Sequence, residues 1–205
     1  MGWRGIILLR SVLYTVFYMV YGMDGELDYI AGVVKGDGSL YYNRKAKGYV
    51  VEIYDRDREF IELLAGILRT HGFNYSIRSY GTYYRLRINS RELHNTLAKA
   101  IERLILNPTI PFIRGLFDAE GTLYFDKRKA RPYPIVELGT TDQRIISATA
   151  MTLTRLGLKY SIKSYKKPNR RELYKIVLRG SNVIIWAKIV RPLHPVKFSL
   201  LYTLF

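Results

Sequence analysis

Two acidic residues of this chain hold the same place in two versions of one short segment. The first version reads Ile30-Ala31-Gly32-Val33-Val34-Lys35-Gly36-Asp37-Gly38 and continues Ser39-Leu40-Tyr41-Tyr42. The second reads Ile113-Arg114-Gly115-Leu116-Phe117-Asp118-Ala119-Glu120-Gly121 and continues Thr122-Leu123-Tyr124-Phe125. Each runs from an apolar stretch with a helical pattern into acid-Gly-Ser/Thr-Leu-Tyr-aromatic, which makes Asp37 and Glu120 counterparts. Carboxylates suit hard divalent cations, whose other ligands are phosphate and water oxygens. In a chain loaded with positive charge, the pair reads as two metal-binding halves of one phosphate-cutting site.

The elements that must bring the acids together are themselves repeated. Gly72-Phe73-Asn74-Tyr75-Ser76-Ile77-Arg78-Ser79-Tyr80 returns as Gly157-Leu158-Lys159-Tyr160-Ser161-Ile162-Lys163-Ser164-Tyr165. Val51-Glu52-Ile53 returns as Val136-Glu137-Leu138, and Asp57 as Asp142. The offset is 83 residues at the acids and 85 at the later segment, which places a two-residue insertion around 130–134. A unit this long exceeds any solenoid repeat and reads as a tandem duplication of one small domain.

Composition narrows the partner. The 205 residues carry 33 Lys and Arg against 17 Asp and Glu, a net charge of +16 spread along the whole length. That is the electrostatic footprint of a nucleic-acid binder, with a merely soluble basic protein or one drawn to anionic membrane as the competing readings. A hydrophobic content of 48% suffices to bury a core. There is no cysteine, which excludes disulfides and thiolate metal sites. Ile6 to Val20 is largely apolar, but Arg10 interrupts it and the stretch is too short for a spanning helix. No small-residue cleavage site precedes Met23-Asp24-Gly25-Glu26. Residues 1–27 therefore read as an extension that docks on the folded body, or as an upstream leader with no part in the fold.

From 28–107 and again from 108–205 the pattern is α-β-β-α-β-β-α. Leu27 to Gly36 is helical. Ser39–Lys45 and Tyr49–Tyr54 are strands, and Asp57 caps a helix that ends at His71-Gly72. Tyr75–Tyr80 and Tyr83–Asn89 form a hairpin around Gly81-Thr82, and Ser90 caps a helix that Asn107-Pro108 ends. The second half repeats this, with strands near 122–128, 135–140, 160–166 and 173–179 and helices near 142–156 and 181–190. Pro195 opens a last apolar segment. The fold class is α+β, with a four-stranded antiparallel sheet in each half.

Strand alternation divides each sheet into a covered and an open face. Leu40, Tyr42, Val51, Ile53, Tyr75, Ile77, Tyr84, Leu86 and Ile88 belong to the covered face of the first. Its open face carries Ser39, Tyr41, Asn43, Lys45, Val50, Glu52, Tyr54, Ser76, Arg78, Tyr80, Tyr83, Arg85 and Arg87. The matching set in the second half is Thr122, Tyr124, Asp126, Arg128, Ile135, Glu137, Ser161, Lys163, Tyr165, Lys175, Val177 and Arg179. Basic and hydroxyl side chains, with acids able to accept from cytosine, are what phosphates and base edges call for. Val50, Tyr54, Ser76, Tyr83, Ile135, Ser161 and Val177 aside, these are the candidate DNA-binding residues, against the plain alternative of a solvated face.

The two motifs resemble the LAGLIDADG signature of homing endonucleases, and the duplication is similar to that family's single-chain, pseudo-symmetric, archaeal-type members. The resemblance runs from about Asp28 to the C-terminus. It implies two motif helices packed side by side at the centre of a DNA-binding saddle. Gly32 and Gly36, with Gly115 and Ala119, are small residues four apart and would let the backbones approach. It further implies that Asp37 and Glu120 are the essential metal ligands, helped by the backbone carbonyls of Gly36 and Ala119. The ions would be two or three Mg²⁺, with Mn²⁺ also active and Ca²⁺ supporting binding without efficient cutting. Lys197 is the candidate basic helper, and Asp55 and Thr140 fall at a strand-end position often held by Gln or Lys.

Lys35 departs from the signature, standing where the second copy has Asp118, and Arg114 stands where alanine is usual. With normal packing Arg114 should point away from the helix interface. His71, His94 and His194 have no metal-site spacing and read as structural or surface residues. The implied function is intron homing: a sequence-specific double-strand break in a long duplex target, made by a monomer in the prokaryotic cytosol. The alternatives are an intron RNA maturase or a non-cleaving DNA-binding regulator on the same scaffold, and a basic ribosome-associated protein, which explains the charge but not the acids.

Overall fold

The computed structural model describes residues 25–126, 133–166 and 168–203; the expected docking segment before residue 25 and the candidate Arg128 lie outside them. Among these, helix α1 covers 25–37 and runs straight into β1 (Gly38–Asn43). There follow β2 (Gly48–Asp55), α2 (Arg58–Thr70), β3 (Ser76–Tyr80), β4 (Tyr83–Asn89) and α3 (Arg91–Leu104). The second half gives α4 (Ile110–Glu120), β5 (Gly121–Asp126), β6 (Tyr133–Thr140), α5 (Gln143–Arg155), β7 (Ser161–Tyr165), β8 (Leu173–Arg179) and α6 (Ser181–Val190). A further helix, α7 (Pro195–Tyr202), stands outside the repeat. No helix of the described residues is long and apolar enough to cross a membrane.

Local chemistry sets the boundaries in both copies. The Asp57 carboxylate accepts from the Glu59 and Phe60 amides at the start of α2, and Asp142 accepts from Arg144 at the start of α5. Both helices end on a glycine at positive φ, Gly72 at +80° and Gly157 at +70°. After each glycine the next amide returns five residues, Phe73 to the Leu68 carbonyl and Leu158 to the Leu153 carbonyl, both at 3.0 Å. The antiparallel sheets have the orders β1-β2-β4-β3 and β5-β6-β8-β7.

The halves meet through α1 and α4. A Cβ added at Gly32 would collide with the Phe112 carbonyl oxygen, and one at Gly115 with the Tyr29 carbonyl oxygen. A Cβ at Gly36 would strike that of Ala119. The small-residue spacing thus brings the two backbones into direct contact. Helix α4 serves two cores: Phe112 and Leu116 pack into the first, while Ile113 and Phe117, one position on, pack into the second. Asp28 ties the start of α1 to the connection between halves, accepting from Arg103 and from the Thr109 hydroxyl, each at 2.8 Å.

Several expectations change. Residues 25–27, assigned to the extension, are helical, and Glu26 is buried 2.8 Å from His71 Nε2. Lys45 is not in a strand; residues 44–47 form the turn, closed by Ala46 N–H on Asn43 Oδ1 at 3.0 Å. Tyr42 and Tyr75, expected under helices, are 49% and 37% exposed, Tyr42 on edge strand β1 and Tyr75 just before β3. Conversely Val50, Glu52, Ile135 and Val177 lie on the open faces by register yet are buried. They occupy inner strands, each flanked by two others, and Glu52 is covered by Arg85 and Arg87 of the neighbouring β4.

Candidate active site and nucleic-acid face

Asp37 is the last residue of α1 and Glu120 the last of α4, so the close approach of Gly36 to Ala119 sets the two acids side by side at adjoining helix ends. A helix C-terminus already disfavours negative charge. Burial pushes the Asp37 carboxyl above the usual range, as does Asp55, against the pull of Lys197 and His194. Burial, and after it Asp37, raises Glu120. Two partly desolvated acids that repel one another make a site that gains from a cation.

An open cavity of about 840 Å³ adjoins them, lined by Asp37, Asp55, Ala119, Gly121, His194 and Lys197 among others. Asp55, at the end of β2, is a third carboxylate. Burial would raise it, but His194 and the Asp57 amide outweigh that and hold it below its ordinary value. His194 Nε2 stands 3.6 Å from Asp55 Oδ1, and the Asp57 amide donates to the same oxygen at 2.6 Å. The corresponding residue of the second half, Thr140, accepts from the Asp142 amide at 3.2 Å. The same local turn is built twice, with a charge in only one copy.

Lys197 enters the site from α7. Its ammonium donates to the carbonyls of Phe117 at 2.7 Å, Asp118 at 2.6 Å and Ala119 at 3.3 Å, and so caps the acidic end of α4. Burial lowers its pKa, opposed by Asp118, Asp55, Asp37 and Glu120. Asp118 itself is fully buried, accepting from Tyr29 Oη at 2.9 Å and the Leu193 amide at 2.8 Å, and burial raises its carboxyl. It is a structural junction between α1, α4 and the segment leading to α7. Lys35, its counterpart, turns instead to Asp142 of the other half at 3.6 Å. Arg114 is buried and reaches the Val190 carbonyl that ends α6, and its charge also acts on the Tyr29 hydroxyl of α1, so it is not turned wholly away from that helix.

His194 was not anticipated as a site residue. It is 7% exposed, its ring lies 4.5 Å from Phe60, and its Nδ1 has no partner among the described residues. The available signal was its place three residues before Lys197 in an otherwise apolar C-terminal segment. Among the described residues no group of three or more His, Asp and Glu side chains forms a metal cage. The donor chemistry at the helix ends still fits hard divalent ions, since two neighbouring carboxyls and the Gly36 and Ala119 carbonyls are all oxygen donors, although the Ala119 carbonyl also accepts from Lys197 at 3.3 Å.

The open faces hold most of the expected residues together. In the first sheet Ser39 pairs across to Glu52, Glu52 to Arg87, Arg87 to Ser76, and Arg85 to Arg78. Tyr41 and Asn43 continue that face along β1, and Tyr80 stacks on Tyr83 at 6.2 Å. In the second, Thr122 pairs with Glu137 and Lys163 with Lys175, and Arg179 donates to Ser161 Oγ at 3.1 Å. Tyr124 and Tyr165 are 39% and 46% exposed, and Asp126 ends β5. The acids on the inner strands of these faces, Glu52 and Glu137, are tied down by neighbours. Glu52 Oε1 lies 3.2 Å from Arg85 and 3.4 Å from Arg87, and Tyr54 Oη donates to Oε2 at 2.9 Å. Glu137 receives Lys175 at 2.8 Å and Tyr124 Oη at 2.9 Å.

A family model described as a LAGLIDADG-like domain matches this chain twice, over residues 24–102 and 108–189. An uncharacterized protein of Methanocaldococcus jannaschii, MJ0314, is 28% identical over 163 residues, 71% of this chain, which spans 59% of that protein's length. The homing endonuclease I-DmoI of Desulfurococcus mucosus is 26% identical over 153 residues, 68% of this chain and 75% of its own. A solved structure of I-DmoI variants superposes with a TM-score of 0.68 at 21% identity, covering 88% of this chain and 98% of that one. I-DmoI in complex with DNA and Mn superposes at 0.66 and 23% identity, over 82% and 97% of the chains. Each half of the duplication has its own match to the family, and the chain belongs to the LAGLIDADG family in the two-motif form that I-DmoI represents.

Proposed function

We propose that this protein is a sequence-specific DNA endonuclease that makes a metal-dependent double-strand break by phosphodiester hydrolysis. One observation carries the reading: Asp37 and Glu120 close two helices in backbone contact, each with its carboxyl raised by burial. A binder with no chemistry to perform has no use for two repelling acids beside a polyanion. Asp37 and Glu120, with the carbonyls of Gly36 and Ala119, would hold Mg²⁺ or Mn²⁺. Bound there, such ions would supply activation of a water and stabilisation of the departing 3′ oxygen.

The chain's own residues divide the remaining work. Asp55 and His194 present an ordered acid and ring to the cavity beside Asp37 and can orient water there. Lys197 fixes the end of α4 and would bring positive charge to a phosphate held beside Asp37 and Glu120. The two basic faces would lie along successive stretches of duplex and position it. Structures of I-DmoI with DNA and Mn, and with DNA and Ca, support the choice of partner and ions by analogy.

The second reading, a non-cleaving binder of DNA or of intron RNA, is favoured by one contact: the Lys197 ammonium already sits against the Ala119 carbonyl. A cleavage selection on a randomised duplex library with Mg²⁺ separates the two. Specific double-strand cuts are expected; selective retention of DNA without cuts would establish the second reading instead.

A further inference from the structure

The repeat places an acid at the same point of each basic face, Glu52 in β2 and Glu137 in β6, on inner strands flanked by cations. Resting on the DNA-binding reading above, we infer that Glu52 and Glu137 are specificity-determining positioning residues: each orients the cations of its own sheet for base recognition without touching a base. Glu52 is 5% exposed and therefore poorly placed to accept from cytosine itself. Its Oε1 holds both Arg85 and Arg87, and its Oε2 holds Tyr54. Each arginine is restrained a second time, Arg85 over the Tyr80 ring at 4.8 Å and Arg87 Nε on Asn89 Oδ1 at 3.2 Å. Their side chains keep 15% and 21% of their surface exposed, so both still reach the open side.

A flexible surface arginine finds any phosphate. One whose guanidinium plane is fixed can meet guanine O6 and N7 together and discriminate against the other bases. Fixing the rotamer beforehand removes part of the ordering cost of binding. The second half repeats the device with weaker parts. Glu137 holds a single Lys175, a point charge without the planar fork, which lies 5.8 Å from the Tyr165 ring. The first sheet should therefore impose the sharper base preference.

The test is quantitative binding of the full chain to a randomised duplex library in Ca²⁺, comparing wild type with Glu52→Gln, Glu52→Asp and Glu137→Gln. Glu52→Gln should lose about tenfold discrimination at base pairs under the first sheet. Its affinity for unselected DNA should hold or rise, since a negative charge leaves the face. Glu52→Asp should restore part of the preference, and Glu137→Gln should act only under the second sheet, with a smaller effect. A purely structural role would instead lower thermal stability and weaken binding to all sequences alike, and that outcome overturns the inference. So does an unchanged preference in Glu52→Gln. Should Glu52→Gln fail to fold, Glu137→Gln decides alone, its side chain being less buried, with 18% of its surface exposed. A wild type that shows no selective binding at all would sink the proposed function rather than this inference.

Discussion

At the residue scale, the acidic pair makes opposite demands on stability and on chemistry. Because their carboxyls are raised above 3.8 and 4.5, Asp37 and Glu120 are more easily protonated folded than unfolded. Their contribution to metal-free stability is complete below those ordinary values and is lost as pH rises through the raised ones. Asp37→Asn and Glu120→Gln should therefore raise the metal-free Tm at pH 7.5 and leave it nearly unchanged near pH 3.5. Both should abolish cutting while retaining or improving DNA affinity. Calorimetry at the two pH values with a plasmid cleavage assay checks this, and normal cutting by either variant would show that other groups do the chemistry. Added Ca²⁺ should stabilise wild type more at pH 7.5 than at pH 4.5, and either variant less. Both acids were legible in the sequence because the motif repeats. Asp55 was legible as a strand-end residue, but its pairing with His194 was not, since 139 residues of chain separate them.

Elements position these residues, and the α1–α4 contact is the tightest constraint on them. Adding one methyl at Gly32 or Gly115 sets a side chain against backbone of the other helix, which cannot rotate aside. Gly32→Ala and Gly115→Ala should each cost ~1–3 kcal/mol or more, and should impair cutting beyond binding by moving the acids apart. Chemical denaturation with parallel binding and cleavage assays would show it; wild-type stability in both would mean that the helices have room to separate. Lys197→Met removes the cation from the C-terminus of α4 and should cost about 1–2 kcal/mol, with a loss of cutting. The helix contact was implied by the family resemblance, and the four-residue spacing of small residues in both copies permitted it. The faces of the sheets were legible from alternation, whereas burial within them was not. Alternation gives the side on which Glu52 emerges, but its cover depends on how far Arg85 and Arg87 lean across from the neighbouring strand. Helix α7 was read only as an apolar segment because it has no counterpart in the first half.

For the whole molecule, a net charge of +16 is a cost in the free state that a polyanion relieves. The register makes the cost local: Arg78 lies directly opposite Arg85, and Lys163 directly opposite Lys175. Like charges in opposed positions destabilise a sheet. Glu52 and Glu137 compensate the inner member of each pair, which leaves Arg78 and Lys163 on the outer strands β3 and β7 as exposed charges facing outward from the body. That arrangement recurs in both copies, so the expected ligand is one that spans both sheets, and one chain should occupy one duplex. Arg78→Ala and Lys163→Ala should slightly raise the Tm of the free protein, weaken DNA binding evenly across sequences, and reduce the slope of log K against log salt by about one each. The double variant should lose about two, the outcome expected of sheets that act on separate phosphates. Salt titrations by fluorescence anisotropy, with sedimentation to count chains per duplex, test all of this together. An unchanged slope would place the duplex on another surface, and an obligate dimer on one site would show that the duplication does not supply both halves of the interface.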